Sequence, residues 1–151
     1  MHDEWQTPDD LFIALDKQFD FDIDLCANEN NTKCKAWVDD IEKAWKEDLL
    51  IQDYQYFMNP PYSRGNIGKC MKIACKLGYE HGITVVCLVR FDPSAKWFQR
   101  YVDNKATEVR MLDRRVKFKG APSAYNFPCC VVVYDWGQMT PRGTEYFLWG
   151  W

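Results

Sequence analysis

"ITVVCLVRF", residues 83–91, is a continuous apolar run, rich in β-branched residues and without a charge until Arg90. Strands that are covered on both faces have this composition, which is typical of parallel sheets with helices packed on either side. The stretch therefore predicts a buried central strand in an α/β protein.

The segments on either side of this run alternate between helical and extended patterns. In "TPDDLFIALDKQF" (7–19), Thr7 is predicted to be the N-cap of a helix, and Pro8 to be its first residue. Strands are predicted in 21–27 (beginning near Asp22), 35–40, 54–59, 107–113 and 129–136. Helices are predicted in 41–48, 67–75 and 94–104, the last of them capped, and a basic excursion spans 113–127. The pattern predicts one α/β layer sandwich with a mostly parallel sheet.

Composition excludes several classes of protein. Of the 151 residues, 47% are hydrophobic and 16% aromatic, which argues against disorder, and no apolar run approaches a membrane span. The acidic start "MHDEWQTPDD" does not resemble a secretory leader. Seven cysteines without C-x-x-C spacing predict reduced core residues in a cytoplasmic protein. With only two histidines in the chain, we expect no metal site.

The net charge of −3 does not by itself indicate a nucleic-acid-binding protein. The distribution of charge is uneven, because "RMLDRRVKFK" (110–119) holds five cations and one anion. Such a segment is either an ordinary solvated face or a surface that binds phosphates. The segment alone does not decide between the two.

Two unusual stretches follow predicted strands. Asp24 begins "DLCA" (24–27), and Asn59 begins "NPPY" (59–62), where the prolines must end the strand. Open parallel sheets bind ligands beyond the carboxyl ends of their strands. We therefore expect both stretches at one edge of the sheet, where a cofactor and a substrate could meet.

Four stretches, in order, resemble the phage-type DNA N6-adenine methyltransferases, the Dam-like family: "WQTP" (5–8), "DLCA" (24–27), "NPPY" (59–62) and "RRVKF" (114–118). "NPPY" also occurs in glutamine and RNA methyltransferases, which usually carry a glycine-rich first motif that "DLCANEN" lacks. The resemblance implies a Rossmann-like methyltransferase fold: a mostly parallel sheet, an antiparallel strand near the C-terminus and helices on both faces. The length of the chain predicts a single domain over 1–151, without a separate target-recognition domain.

The resemblance implies a catalytic role for the residues of "NPPY". The adenine N6 amine is a weak nucleophile, because its lone pair is delocalised into the ring. Acceptors aimed at its hydrogens, the Asn59 side-chain oxygen and the Pro60 carbonyl, would free that lone pair. Pro61 would fix the backbone, and the Tyr62 ring would stack on the base.

The cofactor that the resemblance implies is S-adenosylmethionine. Its candidate binding residues are Trp5, Gln6, Thr7, Pro8, Asp24, Cys26, Ala27, Asp39 for the ribose and Asp48 for the cofactor's adenine. Asp40 is as plausible as Asp39 for the ribose, and a solvated acid is a plain alternative for Asp39 and Asp48.

The expected macromolecular partner is double-stranded DNA, from which the target adenine must be flipped out. Candidate DNA contacts are Ser63, Arg64, Arg114, Arg115, Lys117 and Lys119, the last four projecting from a hairpin while Val116 and Phe118 face the body. A monomer or weak dimer is expected. The alternatives are methylation of RNA or of a protein glutamine, and a catalytically silent DNA-binding protein.

Overall fold

The computed structural model describes residues 5–51, 53–63 and 65–151. Within these ranges the helices are α1 (Asp9–Phe19), α2 (Ile41–Lys46), α3 (Asn66–Cys75) and α4 (Lys96–Tyr101), and a π-helical turn (Lys76–Glu80) extends α3. The strands are β1 (Ile23–Leu25), β2 (Ala36–Val38), β3 (Tyr56–Met58), β4 (Val85–Arg90), β5 (Glu108–Leu112), β6 (Cys129–Tyr134) and β7 (Glu145–Trp149). All of these elements belong to one layered α/β unit.

The strands form one sheet in the order β2-β1-β3-β4-β6-β5-β7. β6 is antiparallel to both of its neighbours, and every other neighbouring pair is parallel. The first five residues of β4 are completely buried, so the run that predicted a central strand does lie at the centre. The predicted antiparallel strand near the C-terminus is confirmed as β6.

Helices cover both faces of the sheet. Phe12 of α1 meets Phe57 of β3 edge to face, with ring centroids 5.1 Å apart. The adjacent residue, Tyr56, points to the opposite face, where its hydroxyl donates to the carbonyl oxygen of Leu50, just beyond α2. α3 packs between α2 and α4 on that second face.

Several local predictions were wrong by small amounts. Pro8, not Thr7, is the N-cap of α1, and its carbonyl accepts the first helical hydrogen bond from Phe12. The late start predicted for β1 is confirmed, since the strand begins at Ile23, next to Asp22. The N-cap of α4 is Ala95, which offers no side-chain cap. β7 was not predicted at all: its residues are mostly exposed, and its pairing with β5 creates the strand.

Arg110 does not belong to the basic surface predicted for 110–119. Its side chain is buried, donates to Glu108 and Gln18 at 2.9 Å, and lies between the rings of Phe19 and Trp149. The alternation of β5 explains this, because Arg110 points to the face that α1 covers. Arg110 is therefore part of the core.

Within the described ranges, no helix has both the length and the apolar character needed to cross a membrane. All seven cysteines are free thiols, as predicted. In the same part of the chain, no group of three or more histidine, cysteine or acidic side chains could hold a metal ion.

Candidate active site

The carboxyl ends of β1, β2 and β3 lie at the same edge of the sheet because the three strands are parallel and in register. Two neighbouring cavities, which share the lining residues Cys26, Ala27 and Asn31, open there. A narrow cleft of about 20 Å³ is lined by Trp5, Gln6, Thr7, Asp24, Cys26, Ala27, Asn31, Lys33, Phe57 and Asn59. A larger cavity of about 700 Å³ is lined by Cys26, Ala27, Asn28, Asn31, Asp39, Asp40, Ile41, Glu42, Pro61, Asn66 and Cys70. The structure thus brings together most of the residues predicted for cofactor and catalysis.

Asp24 is a nearly buried carboxylate on β1, with 4% of its surface exposed. Its Oδ2 accepts a hydrogen bond from the backbone N–H of Lys33 at 2.7 Å. Burial raises the pKa of Asp24 to about 6, and this exceeds the opposite effect of the Lys33 hydrogen bond. A carboxylate in such a place gains from a cationic ligand, because the ligand's charge offsets the lost hydration.

Cys26 follows β1 with a positive φ of 58°, and its Sγ lies 3.5 Å from the Sγ of Cys70 on α3. The pKa of the Cys70 thiol is lowered by the hydrogen bond from Cys26, whereas that bond and burial raise the pKa of Cys26. The contact ties the end of β1 to the helix that follows "NPPY". Nothing in the sequence predicted this pairing.

Asn59 and Pro61 flank the cavities, and Pro60 between them is buried. The Asn59 Nδ2 donates to the Trp5 carbonyl at 3.5 Å, a long hydrogen bond, and its Oδ1 has no hydrogen bond within the described ranges. This orientation leaves an amide oxygen available to an incoming donor. An exocyclic amine placed there would find the acceptor that the chemistry needs.

Tyr62 does not offer the stacking surface predicted for it. Its side chain is 4% exposed, and its hydroxyl donates to the Leu88 carbonyl at 2.8 Å. The ring packs against Phe118 and Tyr125, with centroids 5.8 and 5.7 Å away. Tyr62 therefore supports the end of β3 from inside, and burial raises its pKa well above the ordinary value.

Two aromatic residues that were not predicted lie closer to solvent. Tyr125 is half-buried against Tyr62, and Phe127, 54% exposed, lies 5.6 Å from Tyr125 between ring centroids. Both come from the excursion between β5 and β6. There, the two aromatic residues of "SAYNF" (123–127) are the sequence pattern that could have predicted an aromatic surface. They are the aromatic rings of this excursion that are at least partly open to solvent.

The three acidic candidates beyond β1 have different environments. Asp40 is the N-cap of α2 and accepts from the Lys43 backbone N–H at 3.0 Å. Asp39 lines the larger cavity and is exposed, without a side-chain hydrogen bond in the described ranges. Asp48 lies beyond the far end of α2 and lines neither cavity. The structure thus favours Asp39 over Asp40 and does not bring Asp48 to the site.

The N-terminal motif closes one side of the cleft. The Trp5 ring stacks on Phe118 at 6.4 Å, and Gln6 forms an antiparallel bridge with Lys119 through backbone hydrogen bonds of 2.9 and 3.1 Å. Thr7 is buried beside the cleft, whereas Pro8 caps α1 and lines neither cavity. The motif thereby joins the first helix to the basic excursion.

The predicted DNA contacts alternate with buried residues as expected, since Val116 and Phe118 are covered, whereas Arg114, Arg115, Lys117 and Lys119 are exposed. The segment is an extended loop rather than a hairpin.

Several cations of the 114–119 segment have local partners: Arg114 binds Asp113 at 2.8 Å, and the Lys119 Nζ lies 3.5 Å from Asp9. Arg115 and Lys117 donate to the carbonyls of Asn126 and Ala121. Ser63 accepts from Asn66 at 2.7 Å, and Arg64 lies outside the described residues.

Comparison with known proteins agrees with this arrangement. The family model described as DNA N-6-adenine-methyltransferase (Dam) matches residues 1–144. The chain belongs to the Dam family of DNA N-6-adenine methyltransferases. A curated relative, the DNA N-6-adenine-methyltransferase of Haemophilus phage HP1 (strain HP1c1), is 35% identical over 121 residues. That alignment covers 77% of this chain and 66% of the phage protein, so the match spans just under two thirds of the relative's length. No solved structure matches significantly.

The Dam-family match includes all four stretches that carried the resemblance. It ends at residue 144, immediately before β7 (Glu145–Trp149). The edge strand thus lies beyond the part of the chain that the Dam family model describes.

Proposed function

We propose that this Dam-family protein methylates the N6 amine of adenine in double-stranded DNA, with S-adenosylmethionine as methyl donor. The observation that supports this most directly is the position of Asn59. Asn59 lines the narrow cleft at the end of β3, and its Oδ1 accepts no hydrogen bond within the described ranges. Pro61, two residues further on, lines the neighbouring cavity of about 700 Å³, which is within the size range of cofactor pockets.

The residues around the cavities suit a cationic nucleoside cofactor. Asp24 is buried with a raised pKa and gains from a positive charge nearby. Asp39, exposed just after β2, would bind the ribose hydroxyls, as acids do in other nucleotide sites. Trp5, Gln6 and Thr7 close the cleft, and Cys26 and Ala27 line both cavities. Bound there, S-adenosylmethionine would supply an electrophilic methyl group on a sulfonium.

The protein's own residues would activate the acceptor amine. The Asn59 Oδ1 and the Pro60 carbonyl would accept hydrogen bonds from the two amine hydrogens and draw the lone pair out of conjugation. Such fixed acceptors in a site that excludes water typically lower a barrier by about 3 kcal/mol each. Pro61 limits the freedom of the backbone that aims the carbonyl. No general base is needed before attack, because the product ammonium is strongly acidic and loses its proton readily.

DNA would approach from the same edge, and Ser63, Arg64 and the 114–119 segment are the contacts that we propose for it. Flipping the adenine out of the duplex costs a few kcal/mol, because its stacking and base pairing are lost, and contacts to the phosphates must offset this cost. The half-buried ring of Tyr125 and the exposed ring of Phe127 would take the stacking role first assigned to Tyr62. We place the activity in the cytoplasm, with a monomer or weak dimer as the active species.

Methyl transfer from labelled S-adenosylmethionine to duplex DNA, RNA and protein, each offered separately, tests this proposal. The expected result is label in DNA that appears as N6-methyladenine after digestion to nucleosides. Label in RNA or in glutamine instead would replace the proposed substrate. The absence of both transfer and calorimetric binding of S-adenosylmethionine would favour a silent DNA-binding protein.

A further inference from the structure

A second basic surface lies on the helical face of the protein, away from the 114–119 segment. Lys69 and Lys72 of α3 and Lys76 of the following turn recur at helical spacing, so they form one stripe. Lys46 of α2 and Arg100 of α4 flank the stripe. We call Lys46, Lys69, Lys72, Lys76 and Arg100 the helix-face cluster.

Two grooves run along this stripe. The first, about 350 Å³, lies between α2 and α3 and is lined by Glu42, Trp45, Lys46, Lys69, Lys72, Ile73 and Lys76. The second, about 240 Å³, lies between α3 and α4 and includes Lys69, Lys72, Trp97 and Arg100. Lys69 and Lys72 therefore form the ridge between two concave surfaces, with an aromatic ring in each.

The charges of the helix-face cluster are not neutralised locally. None of its five cations forms an ion pair within the parts of the chain that the structure describes, and Glu42 is the one acid lining either groove. The Lys76 Nζ lies 6.0 Å from the centroid of the Trp45 ring. By contrast, Arg114 and Lys119 of the predicted DNA segment have carboxylate partners. Clustered cations without counter-charges repel one another, so a polyanion bound across them relieves an unfavourable interaction.

The stripe also begins at the candidate active site. α3 starts at Asn66, which lines the larger cavity, and Lys69 is one turn further along the helix. From Lys69 to Lys76 the helix rises about 10 Å away from the edge where β3 ends. A duplex that presents a base to Asn59 and extends over α3 would place successive phosphates along this line.

We propose that the helix-face cluster binds the phosphate backbone of the duplex that flanks the target adenine. This inference rests on the proposed function, because it takes double-stranded DNA as the substrate. Its contacts are charge contacts to phosphates, so they add affinity and orientation without reading sequence.

The test compares Lys69→Ala/Lys72→Ala with Lys17→Ala/Lys35→Ala, which removes the same charge from exposed lysines outside the cluster. Binding of a fluorescently labelled adenine-containing duplex of about 30 base pairs is measured by anisotropy over a series of salt concentrations. For the cluster variant we expect weaker binding and a log–log salt slope reduced by about 1.8, since each lost phosphate contact removes about 0.9. The control variant and Lys69→Arg/Lys72→Arg should retain the original slope.

Equal slopes for the cluster and control variants would overturn the inference. Methylation kinetics give a second readout: the cluster variant should raise KM for DNA, leaving kcat and S-adenosylmethionine affinity unchanged. Failure of the proposed function is recognised separately, because then the unaltered protein transfers no methyl group to DNA. In that case the salt slopes still report whether the cluster binds a duplex.

Discussion

The thiols of Cys26 and Cys70 are in direct contact, with their Sγ atoms 3.5 Å apart. Cys26 is the first residue after β1, and Cys70 lies on the helix that follows "NPPY", so the pair joins two segments that line the larger cavity. The pKa values of the two thiols move in opposite directions, because the hydrogen bond favours the thiolate of Cys70 and disfavours that of Cys26.

Replacing Cys26 should therefore raise the pKa of Cys70. Cys26→Ala removes the donor that stabilises the Cys70 thiolate, so alkylation of Cys70 by iodoacetamide should require higher pH than in the unaltered protein. Peptide mass spectrometry over a pH series measures this. Cys75→Ala, on the same helix but without contact to Cys70, is the control. If the pH dependence of Cys70 alkylation is the same in Cys26→Ala as in the unaltered protein, the hydrogen bond between the two thiols does not form.

Asn59→Ala should abolish most of the activity with little effect on the fold. The substitution removes one of the two acceptors proposed for the amine, and such a loss typically lowers kcat by at least a hundredfold. Radioactive methyl transfer to DNA measures the rate, and calorimetry checks that S-adenosylmethionine still binds. Gln138→Ala, which removes an exposed side-chain amide beyond β6 that lines neither cavity, serves as the control. An Asn59→Ala enzyme with near-normal kcat would refute the proposed mechanism.

Asp24 should make stability depend on pH. Its folded pKa of about 6 lies above the ordinary value of 3.8. Between these values the folded protein binds more protons than the unfolded chain, so the free energy of unfolding should fall as pH rises from about 4 to 6. The total loss is about 3 kcal/mol, because a difference of one in pKa between the folded and unfolded states corresponds to roughly 1.4 kcal/mol.

Asp24→Asn keeps the acceptor for Lys33 and cannot ionise, so this part of the pH dependence should disappear in thermal unfolding. Asp22→Asn is the control, since exposed Asp22 also accepts a backbone N–H, from Gln55 at 2.8 Å. S-adenosylmethionine should bind more tightly as pH rises through 6 in the unaltered protein but not in Asp24→Asn. If the affinity for S-adenosylmethionine depends on pH in the same way in Asp24→Asn and in the unaltered protein, Asp24 does not belong to the cofactor site.

Arg110→Ala should destabilise the fold without weakening DNA binding. The substitution removes the partner of Glu108 and of Gln18 and opens the space between Phe19 and Trp149. We expect a loss of about 3 kcal/mol, typical of breaking a buried ion pair. Denaturant unfolding measures the loss, and the salt slope of DNA binding should not change. A stable variant with a flatter slope would mean that Arg110 reaches the phosphates after all.

Arg115→Ala should flatten the salt slope of DNA binding by about 0.9 and weaken binding similarly for different sequences, as expected for one lost phosphate contact. Lys117→Ala should behave in the same way. Arg142→Ala removes an exposed arginine from the loop before β7 and is the matched control. If Arg115 instead reads a guanine edge, its loss should relax specificity at one base pair by roughly 1–3 kcal/mol. Neither change would occur if the segment only faces solvent.

The layer architecture could be predicted from the sequence because it depends on local patterns. The apolar run of β4 and the amphipathic spacing of α3 each identify their element without knowledge of the partner. The prolines of "NPPY" likewise fix where β3 must end. Asp24 and Asn59 could be assigned to one edge because parallel strands share the direction of their carboxyl ends.

The features that could not be predicted depend on contacts between distant segments. β7 is a strand because β5 pairs with it, and its composition is otherwise that of an exposed segment. The burial of Tyr62 could not be predicted because spacing does not reveal that Phe118, far along the chain, covers it. The charge of Arg110 suggested solvent, but Glu108 and two aromatic rings make its burial favourable.

The single antiparallel strand has a consequence for how the protein could change over evolution. β5 ends at the edge that carries the candidate active site, and β6, running in the opposite direction, begins there. The 113–127 excursion therefore leaves and re-enters the sheet on the same side, like an enlarged hairpin loop. Insertions or deletions within it need not shift any strand, whereas the segments that follow β1 and β3 must return to the opposite edge. Selection could thus alter which DNA sites are preferred by changing the length of one loop, and the chemistry at Asn59 would be preserved.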